Sequence, residues 1–274
     1  MATVASVSNS AFANATSTTV TKPTGLAVGD LMLAHCAFVS SGLGGAFNTP
    51  SGWTLLANKS AAGGEKYQYI FTKVANSSDV AASNFTFSVN TTAYKIAAGI
   101  MRITGYSSAT PSTSSTTADN VTSGTLTMTG ITPVRANELV IILASGGDQV
   151  GGGTDVSFSS PAVATSNPTW TTAWNTTDST GFQGTLYGAY ATRPEVTATG
   201  NATVTYANGT SIADIMANFI VIDSSLAQAH SPSVISIYSN PPVLVHKPIA
   251  IDSSVSTATA TSVIGTTWTP INKA

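Results

Sequence analysis

Charge is what this sequence has least of. Its 274 residues carry ten Lys and Arg against twelve Asp and Glu, 8% in all, where an average soluble domain has about 25%. With a net charge of −2 there is no basic field to hold a phosphate backbone, so nucleic acid is excluded as a partner. A single cysteine, Cys36, excludes an intramolecular disulfide framework and any cysteine-based metal knuckle. No apolar run approaches the roughly 18 residues of a transmembrane helix, so no membrane insertion is expected. The start, Met1-Ala-Thr-Val-Ala-Ser6, has neither the cationic nor the apolar region of a secretory signal. Glu, Lys, Gln and Arg, the long helix formers, are scarce.

Hydroxyls fill the gap. There are 43 Thr and 35 Ser, and together with Val, Ile, Tyr and Phe they suit pleated surfaces, which predicts an all-β protein. Disorder is the competing reading of a chain so rich in Ser and Thr. The apolar blocks Leu31–Phe38, Leu139–Ala144 and Met216–Ile222 argue against it, because unfolded chains lack such runs.

The sequence also contains a degenerate copy of itself. Gly29-Asp30 and Asn137-Glu138 each end a turn and open an apolar strand. Pro50-Ser-Gly-Trp53 is matched by Asn167-Pro-Thr-Trp170, Tyr67–Phe71 by Leu186–Tyr190, Asn84–Val89 by Asn201–Tyr206, and Ile96–Ile103 by Ile212–Phe219. The later anchors keep nearly one separation. The first is shorter by about nine residues, which places an insertion within Gly146–Ser166. The pseudo-repeats run over about 20–106 and 125–223. Four strands from each make eight, the count of a jelly-roll-like antiparallel β-sandwich over residues 1–223. Two domains of about 110 residues are the alternative; one sandwich is preferred because four strands alone would leave an apolar face uncovered.

From residue 224 the character changes. Residues 224–274 hold Pro232, Pro241, Pro242, Pro248 and Pro270 between short apolar pieces such as Val234–Tyr238 and Pro242–Val245. They read either as a tail or added strands on the sandwich, or as an extended arm that adds strands to a neighbouring subunit.

The chemistry on offer is thin. His35 and Cys36 are neighbours on one strand and point to opposite faces, so they cannot form a dyad. His230 and His246 fall in the proline-containing arm. There is no Gly-x-Ser-x-Gly elbow. Asp30 and Glu138 read as turn residues, Asp214 and Asp223 as flanking the last sandwich strand, and Asp148, Asp155 and Asp178 as dispersed loop acids rather than a calcium site. No catalytic residue, metal or cofactor is expected. Carbohydrate is the most credible small ligand: Trp170, Trp174, Tyr187 and Tyr190 place aromatics around one end of the second half, where rings could stack on sugars. Core packing competes with that reading for Trp170 and Trp174, and Trp53 reads as a core plug. The Asn-x-Ser/Thr sequons, among them Asn14, Asn90 and Asn208, follow from composition.

Lys22-Pro-Thr-Gly-Leu-Ala-Val-Gly-Asp-Leu-Met-Leu33, Pro50-Ser-Gly-Trp-Thr-Leu-Leu56, Lys73-Val-Ala75 and Ala97-Ala-Gly-Ile-Met-Arg-Ile-Thr-Gly105 resemble a β-sandwich module of tailed-bacteriophage virion proteins and some bacterial surface proteins. The resemblance spans about residues 1–223, with Asn167-Pro-Thr-Trp170 departing from the pattern. It implies a structural or adhesive module on a particle surface, with no catalysis. The leading expectation is therefore a virion structural protein, a capsid decoration (cement) or minor capsid protein. It would be made in the host cytoplasm and would contact the major capsid protein or neighbouring copies as a homo-oligomer. A receptor-binding or tail-fibre-associated adhesin recognising host surface glycan is the runner-up, and a glycoside hydrolase the third class.

Overall fold

Alternation decides this fold. The computed structural model describes residues 1–40, 44–61, 65–107, 110–133, 135–148, 156–178, 184–207 and 213–225. Met1–Leu226 group as one compact unit; the 224–274 arm lies, from residue 226 on, outside the described residues. The protein is all-β, with antiparallel sheets. Its first half supplies β1 (Thr3–Asn9), β2 (Ser17–Thr21), β3 (Leu31–Ser40), β4 (Thr54–Ser60), β5 (Lys66–Val74), the short helix α1 (Ser77–Ala81), β6 (Asn84–Ser88) and β7 (Ala93–Thr104). The second supplies β8 (Ser112–Val121), β9 (Ser123–Met128), β10 (Glu138–Asp148), β11 (Ser157–Val163), β12 (Thr171–Asp178), β13 (Gly184–Arg193), β14 (Ala202–Ala207) and β15 (Ala213–Ile222).

Two five-stranded sheets form, ordered β1-β7-β3-β5-β4 and β12-β13-β10-β15-β8. Read from β8, the second has the order of the first with each strand replaced by its counterpart in chain position. A two-stranded sheet β2-β6 and a three-stranded sheet β11-β14-β9 complete the set. The strand β11 falls inside the stretch where the sequence places an insertion. A bulge interrupts β4 against β5 between Leu55 and Ala57, and another interrupts β12 against β13 between Thr172 and Trp174.

Three cores follow from strand parity. Met32, Ala34, Cys36 and Phe38 of β3 pack towards β2-β6 with Trp53, Phe85 and Phe87. Val140, Ile142 and Ala144 of β10 pack towards β11-β14-β9 with Phe158, Val204 and Tyr206. The opposite faces meet each other: Leu31, Leu33, Ile70 and Met101 pack against Leu139, Ile141, Leu186 and Ile220. In that central layer β7 faces β13, β3 faces β10, β5 faces β15 and β4 faces β8. The order of layers is therefore small sheet, large sheet, large sheet, small sheet.

This differs from the eight strands expected from sequence. Each half brings seven or eight strands and its own second layer. The difference has a simple origin: Ser17–Thr21 and Ser123–Met128 are short, with every second residue a hydroxyl or glycine facing solvent, and in a Ser/Thr-rich chain they resemble loops. Both large sheets are apolar on two faces, so each needs a cover on both sides.

The turns before β3 and β10 share one device. Gly29 and Asn137 adopt left-handed φ values of 90° and 59°, a region open to glycine and tolerated by asparagine. The next residue, Asp30 or Glu138, accepts a hydrogen bond from the backbone N–H three residues earlier, Ala27 at 2.8 Å and Arg135 at 2.6 Å. Both acids are turn residues, as read from sequence. Asp30 also holds Arg102 Nε at 2.6 Å.

Candidate functional site

The nucleophile and base candidates are placed by β3. Cys36 is buried in the first core, where burial pushes its thiol up, the opposite of what a reactive cysteine needs. His35 points the other way, into the central layer, and is fully buried. The two face opposite sides of the sheet, as the alternation requires.

His35 belongs to a polar chain that crosses between the large sheets. Gln68 Nε2 lies 2.8 Å from His35 Nε2 and 3.3 Å from the Leu143 carbonyl, and Gln68 Oε1 accepts from Asn218 Nδ2. The Leu143 carbonyl requires a donor opposite it, which orients the Gln68 amide and makes His35 Nε2 the acceptor. His35 is thus held neutral with its proton on Nδ1. Desolvation agrees, lowering its pKa from 6.5 to about 3. Beyond this chain, Lys66 Nζ lies 3.6 Å from Asp214 Oδ2, both side chains almost fully buried. Lys95 Nζ meets Asp178 Oδ2 at 2.7 Å.

The four aromatic candidates do not converge. Trp174 is 4% exposed and lies in the central layer, while Tyr187 is 3% exposed and lies in the second core beside Phe158. They occupy opposite faces of one sheet, and for Trp174 the position is the core packing that competed with the ligand reading. The reason is parity: Leu186 and Tyr190 share one side of β13, Tyr187 and Ala189 the other. Tyr190 is half-buried against the central layer, and Trp170 half-buried against the second core. Only Trp170 sits in a loop cluster. Its Nε1–H donates to Asn167 Oδ1 at 2.9 Å, and the adjacent Ser166 hydroxyl donates to Glu195 Oε2 at 2.5 Å. Arg193, fully buried, gathers the carbonyls of Glu195, Thr197 and Ala198 and so shapes this loop. Trp53, read as a core plug, is one: it is 7% exposed and packs edge-on against Phe85 and Phe87.

Asp178 is taken up by Lys95; Asp155 and the side chain of Asp148 lie outside those described, as do His230 and His246. Among the described residues, no three His, Cys, Asp or Glu come together as a metal set. Asp214 corrects its reading as a flanking residue: it lies within β15 and is 1% exposed. Sequence reasoning also passed over Lys66, Gln68 and Asn218. The available signal was parity, since Lys66, Gln68 and Ile70, like Asp214, Asn218 and Ile220, share one face of their strands.

Comparison with protein-family models, with curated proteins and with solved structures finds no match to this chain.

Proposed function

We propose that this is a non-enzymatic structural protein of a tailed-phage virion, a decoration or minor capsid protein acting through subunit contacts. The observation that carries the reading is where the few charges go. Lys66 with Asp214, Lys95 with Asp178, Arg102 with Asp30 and Lys73 with Asp79 are all ties between elements. Charge spent this way stiffens a block and leaves an outer surface of hydroxyls, which desolvate at lower cost than ions when subunits pack. The two halves share one strand order and pack back to back through their large sheets. Such a block resists deformation on a particle surface. Mass spectrometry and imaging of purified virions provide the test: the protein is expected in the head shell in many copies. Absence from purified particles, or a location at the tail tip alone, would overturn it.

Glycan binding is the second reading, favoured by one observation, the half-exposed Trp170 in a loop cluster with Glu195, Asn167 and Ser166. It predicts a signal on an array of host-surface glycans that weakens about tenfold in Trp170→Ala, the loss of one stacking contact. A blank array with folded protein would dismiss this reading.

A further inference from the structure

Lys66 and Asp214 meet where there is almost no solvent. Lys66 opens β5 in one large sheet and Asp214 lies in β15 of the other, and their side chains are 2% and 1% exposed. The 3.6 Å from Nζ to Oδ2 is longer than a direct N–H···O bond. A second ion pair across the central layer is built differently: Lys95 and Asp178 approach to 2.7 Å, and their side chains keep 12% and 16% exposure. Two opposite charges stripped of water and not in direct hydrogen bond with each other make a weak ion pair, because desolvation exceeds the Coulombic gain unless the geometry is close. An amine and a carboxyl group held together in an apolar layer are also the two reactants of an amide. The fold supplies the proximity that such a condensation needs.

We propose that Lys66 and Asp214 condense into an intramolecular isopeptide bond that joins the two large sheets covalently. The Nζ–Cγ bond forms, the Cγ–Oδ2 bond breaks, and two of the three Nζ protons leave with that oxygen as one water. No oxidant and no external reactant enters. Glu65 is the proton carrier. Its Oε2 lies 3.8 Å from Lys66 Nζ and its side chain is 43% exposed, so one solvent water between them relays a proton from the amine, and the same relay delivers it to the departing oxygen. The released water has a place to go: Lys66, Ser145, Gly146 and Met216 help line a cavity of about 10 Å³, roughly the space one water needs. Ser145 Oγ, buried there, has no hydrogen-bond partner among the described residues. The bond closes a loop over most of the folded unit, and a link between such distant positions removes much freedom from the unfolded chain.

Intact-mass measurement of the denatured full chain tests this directly. The expected mass is one water below that of the sequence, with one branched fragment in a protease digest carrying both residue 66 and residue 214. Lys66→Met and Asp214→Ala each restore the sequence mass. Glu65→Gln slows appearance of the lighter species in newly made protein, by about a hundredfold. A wild-type chain at full sequence mass overturns the proposal, and so does a water loss that the digest maps elsewhere, such as a succinimide. The decisive reading is taken on the wild-type chain, so a variant that fails to fold does not obscure it.

Discussion

Trp174→Ala is expected to lower the unfolding free energy by about 4 kcal/mol, seen in denaturant melts as a lower midpoint with little change in slope. The indole is 4% exposed and lies on two glycines, one from each large sheet. A Cβ on Gly99 would stand 2.9 Å from Trp174 Cε2, and one on Gly188 only 2.7 Å from it. Neither position can carry a side chain while the ring is there. Truncating the ring leaves a void that two glycines cannot fill from below, so the site collapses poorly and the cost stays near the top of the range for large-to-small changes. Trp170→Ala, by contrast, removes a half-exposed ring with a single local hydrogen bond, and about 1 kcal/mol is expected. The two tryptophans therefore need different experiments. Loss of glycan binding in Trp174→Ala would report unfolding, not recognition. A Trp174→Ala protein as stable as its parent would remove the central layer from its place as a core.

Acid is expected to weaken the same layer. In the unfolded chain His35 titrates at its ordinary 6.5; in the folded protein burial lowers it to about 3. Between those values the unfolded chain binds a proton that the folded chain refuses. The stability this group contributes is complete above about pH 6.5 and drains as pH falls towards 3, by about 1.4 kcal/mol per unit. At about pH 4 the loss is about 3 kcal/mol. The geometry gives the same sign, because a proton on Nε2 would confront the Gln68 amide donor instead of accepting from it. Charged groups of the same layer are Lys66 on β5 and Lys95 on β7, the strands beside β3, and Asp178 on β12 and Asp214 on β15 of the opposite sheet. Urea melts of the parent and of His35→Gln at pH 7 and pH 4 separate these contributions. A variant that loses as much stability as the parent between those two values would show that His35 is not the source.

How much of this was legible beforehand differs from residue to residue. The turns before β3 and β10 could be read directly, since Gly29-Asp30 and Asn137-Glu138 combine a left-handed residue with an acid that serves its own turn. Such signals are local. The face assignments of His35 and Cys36 were legible for the same reason, because parity along a strand needs no knowledge of the partner. The aromatic candidates turned on a non-local point. Trp170, Trp174, Tyr187 and Tyr190 are close in sequence, yet two of them are buried on opposite faces of one sheet, and the cover on each face comes from elsewhere in the chain.

The scarcity of charge takes on a different meaning in three dimensions. Read along the chain, it leads to an expectation of no nucleic-acid partner and leaves few groups for chemistry. In the fold, much of the remaining charge is drawn inward as ties between elements. Composition by itself determined the class, antiparallel β-structure with hydroxyl-faced strands, because side-chain shape and alternation act within a few residues. Only the tertiary structure decided that two five-stranded sheets would stack face to face under separate covers, and that Lys66 would meet Asp214. Those outcomes depend on which apolar face finds which cover, and burial of that kind is settled between segments more than a hundred residues apart.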